Sequence, residues 1–207
     1  TTRAIEPPRG VQGRDVTLIG LPKAIASGLH AAFPIPITRT HPDYWPLYVA
    51  NVWFGTHRDG FSHLYQVIRE ERGYNYGDYS YVEYLYGRPF FLFPPPTTPR
   101  TQQYFSMWIR PVGHQYAHFI LKAAMSELER FVKDGLTPDE VAAAKIKART
   151  LYLNYAEDKS RQLGYGLDDL FYGMPDRGYL QTMLKSIDGV TSEQVNAAIR
   201  KHLQTAN

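Results

Sequence analysis

Gly60-Phe-Ser-His-Leu-Tyr-Gln-Val-Ile-Arg-Glu-Glu-Arg-Gly-Tyr-Asn-Tyr-Gly-Asp-Tyr-Ser-Tyr-Val-Glu-Tyr-Leu-Tyr86 changes its pattern halfway along. Phe61, Leu64, Tyr65 and Ile68 recur at helical spacing and form one stripe. Arg69 and Arg72 fall in the last turn of that helix, where cations suit the dipole, and Gly73 stands where a helix end needs positive φ. Beyond the glycine, tyrosines at 74, 76, 79, 81, 84 and 86 alternate with small and polar residues, which is strand chemistry. The stretch therefore predicts a helix that stops at Gly73 and a strand that leaves at once. Such a corner brings Arg69 near Tyr76.

Residues 1–13 hold Pro7, Pro8, Gly10 and Gly13 and read as a linker or arm, leaving 14–207 as one domain. Asp15–Leu21 and Ala24–Phe33 read as a hairpin-like pair of strands. Asp43 is placed to cap a helix whose Trp45, Tyr48, Val49, Val52 and Trp53 have core spacing. Since Tyr44, Leu47 and Phe54 cover its other faces, that helix should be buried nearly all round. Arg88–Phe93 and Gln102–Arg110 are two further strands, separated by Pro94-Pro95-Pro96.

Helices dominate the remainder. Residues 114–134 carry Leu121, Met125, Leu128 and Val132 on one stripe and end at Gly135. Thr137-Pro-Asp-Glu140 is a capping box with proline at the first helical position, followed by Val141, Ala144, Ala148, Leu151 and Tyr155 on one face. Helical character resumes over Asp158–Leu170, weakened by Gly164 and Gly166, and again over Tyr179–Ile187. Thr191-Ser-Glu-Gln194 is a second capping box, opening a last helix through Leu203. Strands first and helices afterwards predict an α+β fold, an antiparallel-rich sheet backed by helices on one face.

The segment Ser62-x-Leu64-Tyr65-Gln66-x-Ile68-Arg69-Glu70-x-Arg72-Gly73-x-x-Tyr76 resembles one in the second, non-zinc domain of pitrilysin/insulinase-family zinc metallopeptidases, the family of mitochondrial processing peptidase. The order of elements extends the similarity over nearly the whole chain. The resemblance implies a division of labour: the first domain carries an inverted His-x-x-Glu-His zinc motif, and the second lends residues that grip the peptide. At the matching positions, Arg69 and Tyr76 are the substrate-binding pair. Family domains usually finish with a strand after the last helix, so this chain reads as a piece truncated before it. Zinc is then expected in a zinc-bearing N-terminal domain or separate subunit, with no metal and no catalytic residue in this chain alone. The alternative is a scaffold subunit of the same fold with no peptidase role.

Composition is compatible with that reading. The net charge of +3, without a dense Lys/Arg run, gives no argument for nucleic acid. The absence of cysteine rules out disulfides and thiolate metal sites and leaves the compartment open. No apolar run approaches the ~20 residues of a membrane span. His114 and His118 have the i, i+4 spacing of a helical metal pair, but Gln115, Tyr116 and Ala117 between them supply no general base. His118, in register with Leu121, Met125 and Leu128, reads as the margin of the core, and His57 and His63 read as solvated.

Overall fold

The structure, a computed structural model, describes residues 13–57, 59–83, 94–174 and 178–203. The Arg88–Phe93 strand and Tyr84 and Tyr86 lie outside the described residues. Among the described residues, three strands, β1 (Ser27–Ile35), β2 (Asn75–Tyr81) and β3 (Gln103–Val112), form an antiparallel sheet in the order β1-β3-β2. Helix α1 (Tyr44–Gly55) lies between β1 and β2 in the chain, and α2 (Ala117–Asp134), α3 (Pro138–Ala156), α4 (Lys159–Tyr172), α5 (Tyr179–Gly189) and α6 (Ser192–His202) follow β3. This is the α+β arrangement expected from the order of elements.

Side-chain alternation along β3 divides the molecule into two apolar layers. Phe105, Met107 and Ile109 face the main core, which gathers residues from α1 to α6. Trp108 points to the other face and meets Tyr79 and Tyr81 in a smaller aromatic cluster, with Tyr104 at its edge. Nine of the twelve residues of α1 are buried, so the prediction of an all-round buried helix holds. Its middle residues Val49 and Ala50 are fully covered.

Several expectations are corrected. Asp15–Leu21 forms no strand; Val16 and Leu18 remain 82% and 94% exposed. The ladder partner of β1 is β3, from Ser27↔Val112 to Ile35↔Gln103, so the strand predicted from Ala24 starts at Ser27 and pairs across some 80 residues of chain. Local alternation cannot identify a partner that far away. Asp43 makes no capping bond at the start of α1; its carboxylate goes to Lys201 Nζ and His202 Nε2, both at 2.7 Å, at the end of α6. On α2 Leu128 is in the core as expected and Met125 and Val132 pack at its margin, but the stripe centres on Ile120, Ala124 and Phe131, and His118 is exposed. His57 and His63 are half-buried and engaged, rather than simply solvated. His57 Nδ1 lies 2.7 Å from Tyr81 Oη, and His63 stacks on Trp53 and contacts Glu127 Oε2 at 3.0 Å.

Both capping boxes form. Thr137 Oγ1 accepts from Glu140 N–H at 3.3 Å while Glu140 Oε2 accepts from Thr137 N–H at 2.8 Å, and Thr191 and Gln194 do the same at 3.3 and 2.9 Å. Each threonine satisfies an amide the helix itself leaves free. Thr137→Ala or Thr191→Ala should therefore cost about 1 kcal/mol, read as a fall of roughly 2–4 °C in Tm by circular dichroism.

α4 is built with its polar side inward. Leu163, Leu167, Leu170 and Phe171 are 52–79% exposed, while Asp168 and Asp169 are buried. The reason is Arg39, fully buried in the loop before α1. Its Nη2 donates to Glu83 Oε1 at 2.7 Å and to the Pro95 carbonyl at 3.0 Å, its Nε reaches both Glu83 oxygens at 3.1 Å, and its Nη1 donates to Asp168 Oδ2 at 2.8 Å. The rings of Tyr165, Tyr172 and Tyr179 surround the guanidinium at 5.0–5.4 Å. A Cβ on Gly164 would come within 2.8 Å of Pro96 Cβ, so the glycine that weakens the helix locally is what lets α4 close on this segment. Asp169 Oδ1 then accepts the Tyr179 amide at 2.9 Å and seats the start of α5.

Candidate functional site

The corner predicted from the sequence is present, wound differently from expected. Residues Tyr65–Glu70 form a π-helical turn, with Glu71 N–H donating to the Gln66 carbonyl at 2.9 Å. Such turns insert one residue into a helix and recur at functional sites. Ile68 and Leu64 are fully buried and anchor the turn, while Gly73, at φ +66°, reverses the chain into β2. The Gly73 amide closes the turn on the Arg69 carbonyl at 2.8 Å, which ties the backbone of Arg69 to the reversal itself.

Arg69 and Tyr76 meet at this corner. The guanidinium carbon stands 4.4 Å from the centroid of the Tyr76 ring and 4.6 Å from that of Tyr65, one turn earlier. Its Nη1 also contacts the Tyr65 hydroxyl, and its Nε lies 3.7 Å from Glu70 Oε1. A cation on an aromatic face within ~6 Å is attracted by the ring quadrupole, by about 0.5–1 kcal/mol at exposed sites. Two rings and a carboxylate thus hold the guanidinium in one place. Tyr76 is 62% exposed and the Arg69 side chain 29%, so both can be reached from outside. The other described tyrosines of the strand pack within the protein: Tyr79 and Tyr81 in the aromatic cluster, Tyr74 against Tyr116 and Phe119.

Behind the corner lies a residue that sequence reading passed over. Asp78 is two residues beyond Tyr76 on β2 and completely buried. Its Oδ1 accepts from Asn75 Nδ2, and its Oδ2 has no partner. Burial pushes its carboxyl up to about 7, against the lowering effects of the Asn75 hydrogen bond and the Arg69 charge. The available signal was an aspartate in an aromatic strand, where acidic residues are depleted.

The histidine pair at i, i+4 does not converge on a metal position. Both nitrogens of His114 are engaged, Nδ1 with Ser27 Oγ at 2.8 Å and Nε2 with the Ala24 carbonyl at 3.0 Å, and His118 is exposed on α2. Among the described residues, His41, Asp43 and His202 bring three ligand atoms within 4.8 Å of one another. There His41 Nδ1 accepts the Asp43 amide at 3.0 Å, and Lys201 and His202 share Asp43 Oδ2. These contacts depress the Asp43 carboxyl, His202 first and Lys201 next. The cluster is an ionic clasp between α6 and α1.

A small antiparallel sheet packed against helices, with an arginine and a tyrosine brought together at an exposed helix–strand corner, defines an α+β domain whose candidate site is that corner. The profile of the peptidase M16 inactive domain matches residues 5–147, and the chain belongs to this family. It is similar to the crystal structure of a peptidase M16 inactive domain from Pseudomonas fluorescens (25% identity, TM-score 0.68, 88% of this chain and 39% of that one). It is similar in fold to a protease from Helicobacter pylori (14%, TM-score 0.71, 89% and 40%). A third similar structure is the inactive peptidase domain of a protein described as a zinc protease from Bordetella parapertussis (16%, TM-score 0.61, 90% and 91%). The chain thus spans about two fifths of the first two relatives and nine tenths of the third. Comparison with curated protein sequences yields no match.

Proposed function

We propose that this chain is the substrate-gripping, non-zinc half of a zinc metalloendopeptidase acting on peptides or unfolded proteins, completed by a zinc-bearing domain on the same polypeptide or on a separate subunit. The observation that carries this reading is the Arg69–Tyr76 pair, 4.4 Å apart at an exposed corner and braced from behind. A fixed guanidinium and a phenol O–H are donors that need no reorganisation when negative charge develops on a peptide carbonyl oxygen. In the partner domain, zinc would supply the activated water. Here, Arg69 and Tyr76 would hold the peptide backbone and stabilise the developing oxyanion.

Combining the chain with its zinc-bearing half should yield peptidase activity. Arg69→Ala and Tyr76→Phe should each lower kcat/KM at least tenfold, since loss of one such donor costs about 3 kcal/mol. Activity unchanged in both variants would remove the assignment. The contacts that brace Arg69 also suit a purely structural cation, which favours a scaffold reading as the alternative. Recovery of a native complex containing no subunit with a zinc motif would support the scaffold.

A further inference from the structure

We propose that Asp78 is the buried counter-charge of Arg69, a residue that acts through the guanidinium and makes the grip of this corner strongest when its own carboxyl is protonated. The proposal rests on the peptide-gripping reading of Arg69 and adds a residue and a direction to it. Side chains on a strand repeat on the same side every second residue, so Asp78 follows Tyr76 on the face of β2 where the Arg69 guanidinium of the π-helical turn lies over the Tyr76 ring. Asn75 holds one carboxylate oxygen and leaves the other unsatisfied in a site sealed from water. A buried polar atom without a partner costs about 1–3 kcal/mol, and a nearby cation is what makes a charge there tolerable.

From the π-helical turn comes Arg69, flanked by the exposed Glu70. From β3 comes Arg110, opposite Gly77, with its guanidinium over the Trp108 ring at 4.9 Å on the other face of the sheet. Where α1 packs on β2, through Asn51 and Ser80, its residues 51–55 are uncharged. Among these groups Arg69, seated over the Tyr76 ring on the Asp78 side of the strand, is the cation placed to act on Asp78, and its charge lowers the Asp78 carboxyl.

An ionised Asp78 and a negative charge developing on bound peptide compete for one guanidinium. Protonating Asp78 releases the cation to the peptide, and pairing of Arg69 with an anionic group in turn favours uptake of a proton by Asp78. Near neutral pH both states are populated, because the carboxyl titrates at about 7.

Carboxyl-carbon NMR of the 207-residue chain tests the coupling without any substrate. The Asp78 resonance should titrate near neutrality, and in Arg69→Met its midpoint should rise by about half a pH unit or more. The Arg69 side-chain Nε–H resonance should follow the same midpoint and lose that step in Asp78→Asn. A midpoint below about 5, a midpoint indifferent to Arg69→Met, or an Arg69 signal that keeps its step in Asp78→Asn would each overturn the proposal. In the assembled peptidase, the kcat/KM loss from Arg69→Ala should be larger at about pH 6 than at about pH 8, either side of the Asp78 midpoint, and equal at the two pH values in an Asp78→Asn background. A pH dependence that survives Asp78→Asn speaks against the proposal. No Arg69 effect at any pH defeats the gripping function instead, whatever the NMR shows.

Discussion

Arg39→Met should destabilise the protein by about 3–5 kcal/mol, the penalty for breaking a buried ion pair by removing one partner. The arginine is the shared partner of Glu83 and Asp168, and both carboxyls are buried beside it. With methionine in its place, two carboxyls would have to ionise in an apolar site or take up protons to avoid doing so. The Asp168 carboxyl is raised even with Arg39 present, because its burial outweighs the attraction of the guanidinium. The midpoint of thermal unfolding should fall by about 10 °C, at roughly 2–4 °C per kcal/mol for a domain of this size. Removing the charges along with their partner tests the cause: Arg39→Met combined with Glu83→Gln and Asp168→Asn should recover part of the loss. Arg39→Lys should not restore it, because an ammonium cannot span Nε and both terminal nitrogens to Glu83, Asp168 and the Pro95 carbonyl. An Arg39→Met protein that melts within about 2 °C of wild type would mean the network contributes no net stability.

The second large effect is on stability as a function of pH. The folded carboxyl of Asp78 sits at about 7 against an ordinary value of 3.8, so the folded state binds this proton more tightly than the unfolded chain does. Stability from this group is therefore full below about pH 4 and is lost as the pH rises to about 7. Asp78→Asn is neutral throughout and removes that slope. Between about pH 4 and pH 8 the wild type should lose about 2–4 kcal/mol relative to Asp78→Asn, since each tenfold difference in proton affinity between the folded and unfolded states is worth ~1.4 kcal/mol. Urea unfolding of the two proteins at both pH values measures it, and parallel curves would show that Asp78 is an ordinary carboxylate. The double difference matters because the substitution itself also alters the hydrogen bond to Asn75.

The regions legible in the sequence are those whose cause is local. Gly73 marks a helix end because only a residue tolerant of positive φ reverses the chain there, and the structure has it at +66°. The capping boxes at Thr137 and Thr191 involve residues three apart, and both formed. The same locality explains why Arg69 and Tyr76, seven residues apart across a single reversal, could be paired on the page and are found in contact. The π winding of Tyr65–Glu70 was not legible: it adds a residue to the turn without changing which side chains are apolar.

What the amino-acid order determined unaided is the run of helices after β3, the α+β class and the corner that carries Arg69 and Tyr76, because the caps, stripes and reversal behind them act within a few residues. Only the tertiary structure decided which strand takes β1 as its partner, why α4 turns its aspartates inward, and where the Asp43 carboxylate goes. Those outcomes depend on charges brought together from distant parts of the chain, Arg39 with Asp168 and Asp43 with Lys201. A buried charge must find its opposite wherever the fold places one, and that constraint leaves no periodic trace along the chain.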